Sequence, residues 1–263
     1  MFHHNINPVL LDLGAVKIYY YGLAYIIGFA LAYWFLWRAV KQGRLKGMTP
    51  ERLDSLMMAI ILGVVIGSRI GYFLFNDPLL LLREPLSFFR FWQGGMAFHG
   101  GLIGVFIAGW LFCRRNRVSL FRIGDILVIP TALALAIGRI ANFINAEIVG
   151  TVTRVSWCVV FPGVEGCRHP YQLYAAASHF LLFFILLLLS MVKWVKKHKG
   201  GLFWGFVIGY GILRFITDFF RDEPMLGFLK ISQWGSVVMV VVGGAALWLM
   251  SKKRGKGRER VLS

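Results

Sequence analysis

Runs of about twenty apolar residues recur along the whole chain, and that is the length an α-helix needs to cross the hydrocarbon core of a bilayer. They predict spans at 18–37, 56–75, 98–113, 123–145, 172–194, 202–220 and 232–250. The expected fold is all-α, a polytopic membrane helix bundle with seven transmembrane helices, forming a single integral membrane domain over 1–263. A hydrophobic content of 58% exceeds what a soluble domain buries. The segment 77–97 is amphipathic, its apolar residues interrupted by Arg83, Glu84, Pro85 and Arg90. It is predicted to lie on the membrane surface or to re-enter. The N-terminus has no basic region ahead of its first apolar stretch, so no cleavable signal peptide is expected.

Charge sets the orientation. Of 29 Lys and Arg residues, 19 lie in alternate loops and in the tail 251–263, and seven lie in the loops between. Cationic loops stay in the cytoplasm, which places the N-terminus outside and the C-terminus, a basic tail, in the cytoplasm. The net charge of +17 therefore serves orientation and contact with anionic membrane lipids. The charges form no basic domain, so no nucleic-acid partner is expected. The largest outside loop is 146–171. It holds Cys158 and Cys167, which pair if the loop faces an oxidising compartment.

Three arginines remain, Arg69, Arg139 and Arg214, each inside an apolar span. At a helix centre each costs about 2.5–3.5 kcal/mol on insertion. Arginines so placed face the bundle interior and mark function. Asp218 and Glu147 are the acids best placed to pair with them, and Arg214 with Asp218 is also the spacing of an ordinary intrahelical ion pair. An interior left cationic invites an anion, and the planar guanidinium fork suits phosphate. Arg139 and Asn142 share a helix face; Asn145 and Glu147 follow at the outer end, and Tyr210 lies one turn before Arg214. His99 sits among glycines at the mouth of the third span, where structural and chemical roles are both open. His179 reads as a packed core histidine, His169 as a neighbour of the site, and His3 and His4 as part of a flexible end. No histidine pair has metal-ligand spacing.

Together these blocks resemble the bacterial prolipoprotein diacylglyceryl transferases over nearly the whole chain. The segments that carry the resemblance are Tyr21-Gly22-Leu23, Arg69-Ile70-Gly71-Tyr72, Gly94-Gly95-Met96 with Phe98-His99-Gly100-Gly101, and Gly138-Arg139 with Asn142-Phe143-Ile144-Asn145 and Glu147. They continue with Gly150, His169-Pro170, Gln172-Leu173-Tyr174, Gly209-Tyr210 and Arg214. The resemblance implies a plasma (inner) membrane enzyme with two substrates, phosphatidylglycerol and the lipobox cysteine of a prolipoprotein. It implies His99, Arg139 and Arg214 as catalytic residues. Tyr21, Arg69, Asn142, Asn145, Glu147 and Tyr210 would bind substrate, with no cofactor and no metal. The chain departs from the family pattern in carrying Tyr171 for a small hydroxyl residue and Ala175 for glutamate. It also has Ala146 for glycine, Val149 for tryptophan and Asp218 for glutamate. A diverged paralogue, a non-catalytic lipid-binding membrane protein and an anion transporter are the alternative readings. Against a transporter, no repeated halves are seen.

Overall fold

A computed structural model describes residues 1–14, 17–76, 78–90 and 97–262. Helices dominate, and six are long and apolar enough to cross a membrane. They are α1 (Tyr20–Lys41), α2 (Pro50–Asn76), α5 (Leu120–Ile144), α6 (Tyr171–Met191), α8 (Gly201–Thr217) and α9 (Ile231–Leu262). The chain is a multi-pass membrane protein. The third expected span is the 19-residue helix α4 (Phe98–Asn116), which falls outside those six. His99 at one end and Arg114-Arg115 at the other confine its apolar stretch to residues 100–113. Short helices α3 (Pro78–Arg83) and α7 (Lys193–Lys197) complete the set among the described residues. Helix α9 continues through most of the expected tail. The chain divides into two compact units: residues 1–35 with 124–263, and residues 36–123.

In the first unit, an apolar core of Val128, Ile129, Ala132, Leu182, Leu186 and Leu202 joins α5, α6 and α8. Asp125 fixes the start of α8: its carboxylate accepts the backbone N–H groups of Gly200, Leu202 and Phe203 at 2.7, 3.0 and 2.9 Å. A carboxylate there satisfies otherwise unpaired donors and complements the helix dipole. Helix α8 lies close along α9, where a Cβ on Gly211 would sit 2.9 Å from the Ser236 carbonyl. Helix α5 ends in a left-handed cap. Glu147 N–H donates to the Asn142 carbonyl and Ala146 N–H to the Phe143 carbonyl, both at 3.0 Å, with Ala146 at φ 55°. That position ordinarily takes glycine.

The loop 146–171 is tied down by strands. β1 (Phe2–His3), β4 (Val159–Val160) and β5 (Cys167–Arg168) form one sheet in the order β1-β4-β5, with β1 parallel and β5 antiparallel to β4. A Cys158–Cys167 disulfide staples it. The N-terminal end is thus held rather than loose, because β1 pairs with β4 and buried His4 bonds the Phe143 carbonyl at 2.7 Å. A two-stranded hairpin of β2 (Val9–Asp12) and β3 (Lys17–Tyr19) leads into α1, and β6 (Met225–Leu226) with β7 (Leu229–Lys230) leads into α9.

The second unit is built on α2 and α4. Thr49 caps α2, its Oγ1 accepting the Arg52 N–H at 3.3 Å, with Pro50 at the first helical position. Gly63, Gly67 and Gly71 on α2 meet Gly100 and Gly104 on α4 so closely that a Cβ at Gly71 would lie 2.8 Å from the Gly100 Cα. Added Cβ atoms at Gly67, Gly100 or Gly104 would run into carbonyl oxygens of the facing helix. This is small-residue packing, where backbones approach because no side chains intervene. Of the segment 77–97, residues 78–90 form α3 and a 3₁₀ turn at Pro85–Phe89. Asp77 and residues 91–96, with the Gly94-Gly95-Met96 motif, lie outside the described residues.

Candidate active site

Three elements of the first unit bring chemistry together. The last turns of α5 supply Arg139 and Asn142 from one face, then Asn145 and Glu147 through the cap. The Glu147 carboxylate accepts Asn142 Nδ2 at 3.1 Å and Asn145 Nδ2 at 3.3 Å. Gln172 Nε2 holds the Glu147 carbonyl at 2.6 Å. Glu147 is therefore aligned by amides, and its side chain remains exposed.

Helix α8 supplies the second arginine. Arg214 donates Nη1 to the Tyr210 hydroxyl at 2.8 Å and Nε to Asp218 Oδ2 at 3.2 Å, the four-residue spacing read from the sequence. Its Nη2 has no partner among the described residues. The Tyr210 ring is held by His179 at 5.4 Å and Phe206 at 5.7 Å. That packing fixes where its hydroxyl stands. His179 is 5% exposed and packed as expected, with its buried Nδ1 left without a hydrogen-bond partner among the described residues.

The junction is Tyr171, the first residue of α6. Its hydroxyl donates to Asp218 Oδ1 at 2.6 Å, and both residues are buried. Arg139 lies 5.9 Å from the centre of its ring and Arg221 6.0 Å, the reach of a cation–π contact. Arg221 is paired with Glu223 at 3.4 Å. Arg139 has no carboxylate within 4.0 Å among the described residues, so Arg139, Arg214 and Asp218 together carry one net positive charge. A cluster with more cationic groups than carboxylates inside apolar spans suits an anionic phosphodiester.

The outer wall is aromatic. The Tyr174 hydroxyl accepts Trp157 Nε1 at 2.7 Å and meets His169 Nδ1 at 3.1 Å, and Phe220 packs on His169 at 5.0 Å. Burial holds the His169 imidazole below its ordinary pKa. Gly150 is forced by contact, since a Cβ there would lie 2.8 Å from the Phe220 carbonyl. On α1, Tyr21 and Tyr25 pack ring to ring at 5.1 Å, and the Tyr25 hydroxyl donates to the Tyr21 hydroxyl at 3.4 Å. Among the described residues, no three His, Cys, Asp or Glu side chains gather where a metal ion would sit.

Two predicted site residues belong to the second unit. His99 stands exposed in the first turn of α4. Arg69 is 3% exposed and donates Nε to the Phe88 carbonyl at 2.9 Å and Nη2 to the carbonyls of Ser87 and Arg90, the latter at 3.1 Å. Phe73 lies under its guanidinium at 5.1 Å.

Sequence reasoning missed Tyr171 and Arg221 as members of the cluster and Asp125 as the α8 cap. Tyr171 meets a carboxylate 47 positions away, which no local spacing reveals. Asp125 carried a signal, being an acid at the mouth of an apolar run.

Fold and site define a multi-pass helical membrane protein that keeps an arginine–tyrosine–aspartate cluster among its spans. The chain belongs to the prolipoprotein diacylglyceryl transferase family, whose model matches residues 8–249. It is 40% identical over 255 residues to the phosphatidylglycerol–prolipoprotein diacylglyceryl transferase of Bordetella parapertussis, covering 94% of this chain and 96% of that one. To the enzyme of the same name in a Wolbachia of Drosophila simulans it is 39% identical over 247 residues, 91% of this chain and 93% of the other. The Coxiella burnetii enzyme of that name is 39% identical over 256 residues, covering 94% and 97%.

Proposed function

We propose that this protein transfers the diacylglyceryl group of phosphatidylglycerol to the lipobox cysteine of a prolipoprotein. The observation that carries the reading is the pair of intramembrane arginines of which only Arg214 meets a carboxylate, in a chain whose relatives bear that enzyme's name. The cysteine sulfur attacks the glyceryl carbon that bears the phosphate. A carbon–sulfur bond forms, the carbon–oxygen bond breaks, and its electron pair leaves with the phosphate oxygen. The products are a thioether and glycerol phosphate. The attacking species is the thiolate, from a thiol of pKa about 8.5, and a neutral imidazole is the fitting acceptor of its proton. His99, exposed at the start of α4, is assigned that role.

The donor phosphodiester carries one negative charge and the departing monoester gains a second. Arg139 and the free Nη2 of Arg214 therefore bind the transition state more tightly than the ground state. Asn142 and Asn145 align Glu147, whose exposed carboxylate accepts a hydroxyl of the lipid headgroup. Tyr21 lines the lipid site and Tyr210 steers Arg214. Arg69 donates to the carbonyls of Ser87, Phe88 and Arg90 and so holds the 85–90 segment.

In this reading α4 is the seventh span, its apolar stretch shorter than that of the other six. The cationic loops are cytoplasmic and the protein resides in the bacterial inner membrane. The disulfide supports that orientation, since it requires an oxidising side for the loop 146–171. The test is mass spectrometry of a lipobox peptide incubated with proteoliposomes containing phosphatidylglycerol. A gain of one diacylglyceryl mass on the cysteine is expected. An unmodified peptide beside an active reference transferase rejects the reading.

A further inference from the structure

The geometry points to Tyr171 as the positioning residue that keeps a donor of Arg214 open and supports Arg139, a role that rests on the proposed function above. Its hydroxyl occupies Asp218 Oδ1 at 2.6 Å, leaving only Oδ2 for Arg214, which is met at 3.2 Å through Nε. The aspartate consequently makes a one-point contact with Arg214 and not the two-point fork that carboxylates form with guanidinium when both oxygens are free. Tyr210 takes Nη1, and Nη2 is what remains for a ligand. The face of the same Tyr171 ring lies 5.9 Å from the Arg139 guanidinium. One side chain thus bears on both arginines, through its hydroxyl on one and its ring on the other. Both it and Asp218 are sealed from solvent, at 1% and 0% exposure, so the arrangement is held by packing. Ala175, one turn further on α6 and 1% exposed, leaves room for the bulk of the ring on that face.

The two halves of the role separate by substitution. Tyr171→Phe keeps the ring and removes the hydroxyl. Asp218 is then free to fork onto Arg214, and kcat is expected to fall on the order of ten-fold, the worth of a hydrogen bond to a charged group. KM for phosphatidylglycerol stays at the wild-type value, because the ring still supports Arg139. Tyr171→Leu removes both, and KM rises as well as kcat falling. In an Asp218→Asn background the Phe substitution costs nothing further, since the group it acts through no longer carries charge.

The experiment is initial-rate transfer to a lipobox peptide by the full-length protein in proteoliposomes of stated phosphatidylglycerol content, for wild type, Tyr171→Phe, Tyr171→Leu, Asp218→Asn and the Phe–Asn double variant. A ten-fold drop in kcat at constant KM, absent in the Asn background, supports the role. A Tyr171→Phe enzyme with wild-type kcat overturns it, as does an equal loss in both backgrounds. If Tyr171→Leu fails to fold, the Phe and Asn pair decides. If the wild type itself transfers nothing, the function proposed above is what fails. Retention of dioleoylphosphatidylglycerol over dioleoylphosphatidylcholine by the purified protein then decides the positioning role: about a five-fold weaker preference in Tyr171→Leu supports it, and equal preference rejects it.

Discussion

The two units treat a buried arginine in opposite ways. In the second, Arg69 gives Nε and Nη2 to three backbone carbonyls of the 87–90 segment and rests on Phe73, beside a helix pair locked through glycines. In the first, Arg214 shares a single carboxylate with a tyrosine, and Arg139 has no carboxylate at all within 4.0 Å among the described residues. From sequence alone all three arginines were expensive charges in apolar spans, Arg139 and Arg214 read as catalytic and Arg69 as substrate-binding. What separates them is where their donors go. A guanidinium donating to main-chain carbonyls fastens structure, and one held by too little negative charge is set up to receive an anion.

That contrast breaks most visibly at the glycines. Gly104→Val places side-chain atoms against the Gly63 backbone, and a loss of about 3 kcal/mol or more is expected. It should appear as a lower melting temperature of the detergent-solubilised protein. Arg69→Ala removes the donors of three carbonyls and should cost about 2–3 kcal/mol, with activity falling only as far as folded protein does. Equal specific activity per folded molecule is the check. In the first unit, Cys158→Ser opens the staple across the 146–171 loop. A disulfide closing so short a loop is worth about 2–3 kcal/mol, so thermal unfolding should shift down in the variant and likewise in reduced wild type. The smallest effect is a gain: Ala146→Gly relieves a left-handed alanine at the α5 cap and should add up to about 1 kcal/mol, read as a small rise in melting temperature.

The sequence made local relations legible and distant ones opaque. Tyr210 with Arg214 and Arg214 with Asp218 follow from helical spacing, and the structure has both contacts. Six of the spans follow from apolar length; α4 is the exception because His99, Arg114 and Arg115 crowd its ends. The glycines of 63–71 and 100–104 were visible as letters, but their pairing across two helices was not. Tyr171 was noticed as a departure from the family pattern, while its bond to Asp218 depended on how α6 meets the end of α8. Arg69 sits in an apolar span as Arg139 does, and the carbonyls that hold it belong to a segment about twenty positions away, which no local spacing reveals.

The most direct test of the account is the rate of diacylglyceryl transfer by Arg139→Ala, measured in phosphatidylglycerol proteoliposomes beside its thermal unfolding. Removing a donor aimed at developing charge should cost about 10²–10³-fold in rate. The unfolding curve should be unchanged, because no carboxylate is left unpaired by the substitution. A variant that transfers at the wild-type rate, or whose rate falls only in step with its stability, would contradict the claim that this arginine is there to bind the lipid phosphate.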